Sequence, residues 1–140
     1  MLVQLMQTQR FPGRYESLAK IGNFIEQAAE KAGLDSKAVY HVQVAVDEAC
    51  ANVIDHAYGG EDRGEIEISH EDTGRSFKVV VRDWGQSFVP DDVPEPKFDK
   101  PLEDMPSRGA AIMFMRKHMD EIEYKFSKKH GNTVTMLKHK

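Results

Sequence analysis

From Tyr15 to Lys31 the apolar residues Leu18, Ile21, Ile25, Ala28 and Ala29 recur three and four positions apart, followed by Ala32 and a stop at Gly33. That spacing is one face of a helix. A second helix is read from Ser36, taken as the N-cap, with Val39, Val42, Val46, Ala49, Val53 and Ala57 on one stripe that ends at Gly59-Gly60. The period then changes to two. Glu65 to Glu71 alternates, Phe77 to Asp83 carries a Val79-Val80-Val81 run, and Asp72-Thr73-Gly74 between them is a turn, which together predict a hairpin. Gly109 to Met119 reads as a third helix, and Glu121 to Ser127 and Thr133 to Leu137 as a second hairpin turning at His130-Gly131-Asn132. A short apolar segment, Leu2 to Met6, is read as a first strand.

Strands grouped in hairpins, with helices between the groups and no strict βαβ alternation, predict an α+β fold. The expected architecture is a two-layer α/β sandwich with helices on one face of a mixed, mostly antiparallel sheet. The stretch VPDDVPEPKFDKPLEDMPS holds Pro90, Pro94, Pro96, Pro101 and Pro106, five of the six prolines, and so is neither helix nor central strand. Too few residues follow it to make a second domain, so residues 1–140 are read as a single domain interrupted by a long loop. Loops longer than about 12 to 15 residues are usually lids or linkers.

Composition narrows the classes. At 140 residues, 40% hydrophobic and 30% charged, the chain has the make-up of a soluble globular domain. No run approaches the roughly 18 apolar residues of a membrane span. The first residues, with Gln4, Gln7, Thr8 and Gln9, lack a secretory apolar core, and the chain is read as cytoplasmic. The lone Cys50, among Ala49, Ala51 and Val53, excludes a disulfide scaffold and reads as a small buried thiol. With 23 acidic against 19 basic residues, net charge −4, the global field does not favour a nucleic acid. The basic tail KFSKKHGNTVTMLKHK reads as edge protection and solvation of a terminal strand.

Three short stretches could carry chemistry. Glu48 and Asn52, one helical turn apart at the rim of the apolar stripe, could position a hydroxyl and hold a hard cation through oxygen, or could be an ordinary solvated edge. His56, one turn further, reads as a boundary histidine. Asp83, at a strand end before Gly85, could accept a hydrogen bond from an exocyclic amine while Gly85 lets a ring approach the backbone; the alternative is a plain Asx turn. Ser107-Arg108-Gly109-Ala110-Ala111, opening a helix, could offer backbone N–H groups and the Arg108 charge to a phosphate, or be a simple helix start.

In order and spacing these stretches resemble a family. D-E-A-C-A-N-V-I-D-H-A-Y (Asp47 to Tyr58), D-W-G-Q-S-F (Asp83 to Phe88) and R-G-A-A-I…M-D-E-I-E-Y (Arg108 to Tyr124) are similar to the N, G1 and G2 boxes of the Bergerat-fold ATPases, and within them to the anti-sigma factor serine kinases. The resemblance implies ATP and Mg²⁺ as cofactors, with Glu48 as the general base for phosphoryl transfer and Asn52 as the metal ligand. It implies that Asp83 binds the adenine amino group, that Gly85 packs beside the ring and that Thr133 places a hydroxyl near it. Arg108, Gly109 and Ala110 would form the phosphate site, and residues from about 86 to 108 would be an ATP lid. The implied partners are a sigma factor of RNA polymerase and an anti-anti-sigma antagonist, in a homodimer to which Leu2 to Met6 contributes, with no nucleic acid and no membrane.

The chain departs from the family at Ala111, where a second glycine is usual. An alanine disfavours φ > 0 and its methyl can crowd a phosphate, which would weaken nucleotide binding about five- to tenfold. Two readings follow: a protein-serine kinase that phosphorylates the antagonist, and a nucleotide-binding module that sequesters a partner without phosphoryl transfer. A third, a detached sensor-kinase ATPase acting on histidine, would need a dimerisation and phosphoacceptor helix pair for which 140 residues leave no room.

Overall fold

A computed structural model of the chain describes residues 6–86 and 107–140. Five strands, β1 (Gln7–Pro12), β2 (Glu65–Asp72), β3 (Ser76–Asp83), β4 (Glu121–Ser127) and β5 (Gly131–His139), form one sheet in the order β1-β2-β3-β5-β4. Helices α1 (Ser17–Lys31), α2 (Ser36–Asn52) and α3 (Ser107–His118) lie with α2 in the middle, packed against both others. This is the expected α+β sandwich. All four pairings are antiparallel, so the described sheet contains no parallel pair and is not mixed.

The layers follow from the alternation along the strands. Ile66 and Ile68 of β2, Phe77, Val79 and Val81 of β3 and Val134 and Met136 of β5 are buried, and they meet Ile21, Ile25, Val42, Val46 and Met115 of the helices in one apolar cluster. Each such side chain contributes about 1.5–3 kcal/mol by leaving water. The intervening residues, among them Glu67, Arg82 and Thr133, project from the opposite face, and register pairs them across the sheet: Arg10 with Glu67, Glu67 with Arg82, Arg82 with Thr133.

Four expectations are corrected. The cap of α2 is Asp35, not Ser36: its carboxylate accepts the Ala38 N–H at 2.8 Å, three residues on, whereas Ser36 already has helical geometry. Residues 1–5 of the expected first strand lie outside the described residues, and Met6 is not in a strand; the strand is Gln7–Pro12, in which only Phe11 is buried. An edge strand this polar has no alternation to read. The helix begun at Ser36 does not run unbroken to Ala57, because one π-helical turn, Val53–Ala57, follows Asn52. Finally, the terminal strand β5 is interior and the edge of the described sheet is β4, so of the tail's lysines Lys125 stands on an edge strand while Lys138 of β5 does not guard one. Lys138 instead donates to the carbonyl of His118 at 2.7 Å, at the C-terminal end of α3 where a cation is favoured.

Candidate nucleotide site

The site is built where β3, β5 and the end of α2 converge. Asp83, the last residue of β3, is 6% exposed and lies opposite Asn132 in the β3–β5 register. Its Oδ1 accepts the Gly85 N–H at 2.9 Å and the Asn132 Nδ2–H at 3.0 Å, and the same Nδ2 donates to the Gly85 carbonyl at 3.2 Å. The Asx turn is therefore present, and it serves to hold the carboxylate still. Gly131 makes the close strand crossing possible: its φ is +85°, and a Cβ there would stand 2.6 Å from the Asp83 carbonyl oxygen.

The π-helical turn braces the same loop from below. The last carbonyls of a helix have no partner within it, and the Ala57 carbonyl accepts the Gln86 N–H at 2.7 Å. Gly85 sits against that carbonyl so closely that a Cβ would collide with it. Tyr58, next in the chain, accepts the Trp84 N–H at 3.1 Å through its hydroxyl and donates to the Glu65 carbonyl at 2.5 Å.

These elements form an open cavity lined by Ala49, Asn52, Val53 and Ala57 from α2 and its π turn, Val81, Asp83 and Gln86 from the β3 end, and Tyr124, Phe126, Asn132, Thr133 and Val134 from β4 and β5. Its wall combines apolar and aromatic side chains with the polar groups of Asn52, Asp83, Gln86 and Asn132. Tyr124 and Phe126 stand nearly parallel, their ring centroids 6.0 Å apart. A flat aromatic ligand with a hydrogen-bonding edge suits such a surface.

Of the residues singled out in the sequence, Asn52, Asp83 and Thr133 meet on this cavity. Glu48, one turn before Asn52 on α2, is half-buried but does not line it, and neither do Gly85 and Ala110 among the described residues. His56 is half-buried in the π turn, away from the wall. The backbone at Arg108 and Gly109 belongs to the first turn of α3, but their side-chain surroundings, like the proline-rich segment expected to form a lid, lie outside the described residues. Asn52 stands out physically: its Oδ1 is buried without a hydrogen-bond partner. Burial also raises the Glu48 carboxyl above its ordinary pKa, with the neighbouring Asp47 charge adding to the shift. A carboxyl so shifted is a better proton acceptor when ionised.

The described residues contain no group of three or more His, Cys, Asp or Glu side chains able to hold a metal, and no helix long and apolar enough to cross a membrane. The histidine kinase-like ATPase domain matches residues 11–138. The chain belongs to that family. Serine-protein kinase RsbW of Bacillus cereus (strain AH820) is 29% identical over 134 residues, covering 93% of this chain and 82% of its own. Among solved structures, the RsbU and RsbW domains of Rv1364c from Mycobacterium tuberculosis superimpose with a TM-score of 0.67 at 14% identity, covering 97% of this chain and 32% of that longer one. The catalytic domain of histidine kinase ThkA follows at 0.57 and 14%, with 96% and 97% covered. Those two likenesses bear on the fold.

Within this histidine kinase-like ATPase domain the sequence reading missed Asn132, Tyr58, Tyr124 and Phe126. Tyr124 and Phe126 carried a signal, since both fall on the inward face of an alternating strand. Asn132 did not, because its turn position in the sequence conceals that it pairs with Asp83 across the sheet.

Proposed function

We propose that this protein is an ATP-dependent protein-serine kinase of the anti-sigma type, holding ATP in the cavity between α2 and the β3–β5 strands. The observation that carries the reading is the meeting of Asn52, Asp83 and Thr133, drawn from three distant stretches, on one aromatic-lined cavity. The likeness to serine-protein kinase RsbW supports the reaction class. Asp83, held by Gly85 and Asn132, would accept the exocyclic amine of adenine, and Thr133 borders the same cavity from β5 while its side chain projects from the other face of the sheet. The unpartnered acceptor of Asn52 fits a hard cation, which takes oxygen ligands. Mg²⁺ held there would neutralise charge on the transferring phosphate. Glu48 would take the serine hydroxyl proton, and the first turn of α3, with Arg108, Gly109 and Ala110, would present amides to the phosphates. The protein partners on this reading are a sigma factor and an anti-anti-sigma antagonist, met by a homodimer.

Ala111 does not weigh against catalysis in this setting. It is 3% exposed and part of the apolar core, and Asp62 is the only described non-glycine residue with positive φ. Its methyl therefore fills the core under α3 in ordinary helical geometry.

The test is transfer of the γ-phosphate of radiolabelled ATP to a purified antagonist protein. Wild type is expected to label a serine, and Glu48→Gln to keep nucleotide affinity within a few fold while losing about 10²- to 10⁴-fold in rate. A wild-type protein that binds ATP but labels no antagonist, together with a Glu48→Gln variant of unaltered sigma-factor binding, would replace the kinase with a sequestering module.

A further inference from the structure

The Tyr58 hydroxyl spans two segments whose placement decides where Asp83 points. It accepts the backbone N–H of Trp84, the residue immediately after Asp83, at 3.1 Å, and donates to the carbonyl of Glu65, the first residue of β2, at 2.5 Å. Its ring lies against Gly64 so tightly that a Cβ there would collide with it, and Gly64 in turn is held by the Gly13 N–H at 2.8 Å. The ring is thus packed against the Gly64 backbone.

We propose that Tyr58 is a positioning residue for base selectivity, fixing the Asp83–Gln86 turn so that the Asp83 carboxylate meets an exocyclic amine and not a carbonyl. The neighbouring anchors act on other atoms of the turn: Asn132 on the Asp83 Oδ1 and the Gly85 carbonyl, and Ala57 on the Gln86 N–H. Only Tyr58 is bonded to the peptide N–H between Asp83 and Gly85 in that set. Without its hydroxyl the turn keeps its other anchors but loses the one at Trp84, and the carboxylate gains freedom to tilt. Trp84 makes the effect visible, since it is the only tryptophan of the chain and lies 42% exposed beneath the Arg10 guanidinium, 4.9 Å from the ring centroid.

The inference rests on Asp83 being the acceptor for the base, so the experiment tests the two separately. Dissociation constants for ATP and for inosine triphosphate, which carries a carbonyl in place of the amine, are measured by calorimetry and by Trp84 fluorescence for wild type, Asp83→Asn and Tyr58→Phe. Wild type is expected to prefer ATP, and Tyr58→Phe to reduce the ATP-to-inosine-triphosphate preference about five- to tenfold, the size of one lost hydrogen bond, with inosine triphosphate binding unchanged. A merely structural role would weaken both nucleotides equally, and that result, or an unchanged preference, overturns the proposal while a preference lost in Asp83→Asn leaves the base-site reading standing. No preference in wild type overturns both. If Tyr58→Phe does not fold, Gly64→Ala, which keeps the hydroxyl but crowds the ring, is expected to lower the same ratio, and a full ratio there overturns the proposal.

Discussion

Asn132 donates its side-chain amide to Asp83 across the β3–β5 pair, at 3.0 Å, with both residues 6% exposed. Removing it in Asn132→Ala takes a donor from a buried carboxylate, which costs about 1–3 kcal/mol. Urea unfolding is expected to show a loss of that size with an unchanged m-value. A variant as stable as wild type would mean that the carboxylate does not depend on this amide.

Asn52 is the opposite case. Its buried Oδ1 has no partner, a condition that costs about 1–3 kcal/mol. Asn52→Ala is therefore expected to leave the nucleotide-free protein about as stable as wild type while abolishing Mg²⁺-dependent ATP binding. Thermal melts without nucleotide and calorimetry with Mg-ATP check the two halves. Intact Mg-ATP affinity would remove Asn52 from the metal site.

Gly85→Ala would drive a methyl into the Ala57 carbonyl, the group that also accepts the Gln86 N–H at 2.7 Å. Relief requires the turn to lift off the π-helical turn. The expected cost is about 1–3 kcal/mol of stability, with a larger fractional loss in ATP affinity than Asn132→Ala causes. Equal affinity in Gly85→Ala and wild type would show that the turn can lift without disturbing the site.

Glu48 makes stability depend on pH in a defined sense. Its carboxyl titrates above the ordinary 4.5 because of burial first and the Asp47 charge second, so the folded state holds the proton more tightly than the unfolded one. Its contribution is then fully present below the ordinary value and is lost as pH rises through the raised one. Glu48→Gln removes that loss. Its melting temperature is expected to exceed that of wild type at neutral pH and to converge with it in acid. A gap that widens on acidification would show that the carboxylate, not the acid, is the favoured form.

The strongly periodic parts of the chain were legible: α1 ends at Lys31 and β4 runs Glu121–Ser127 as the spacing predicts, because one buried face dictates each pattern. Gln7–Pro12 was not, since a strand burying only Phe11 draws its stability from pairing with β2, which no local pattern records. The same divide runs through the site. Asn52, Asp83 and Thr133 could be named from their motifs, whereas Asn132 and Tyr58 act through partners 49 and 26 residues away that only the folded sheet brings near.

The interior place of β5 has a consequence for how the molecule comes into being. β2 and β3 can assemble as one hairpin, but β4 has its one described sheet partner in β5, and β3 keeps an open edge until β5 reaches it. On the ribosome, the growing chain would carry a half-built sheet with an unpaired, valine-rich border through synthesis of the proline-rich segment and α3. Pairings this distant in sequence are slow to form and leave that border open to wrong partners. Closure of the sheet and completion of the cavity wall at Asn132 and Thr133 are thus the same late event, so a molecule that has not finished folding is also one unable to hold nucleotide.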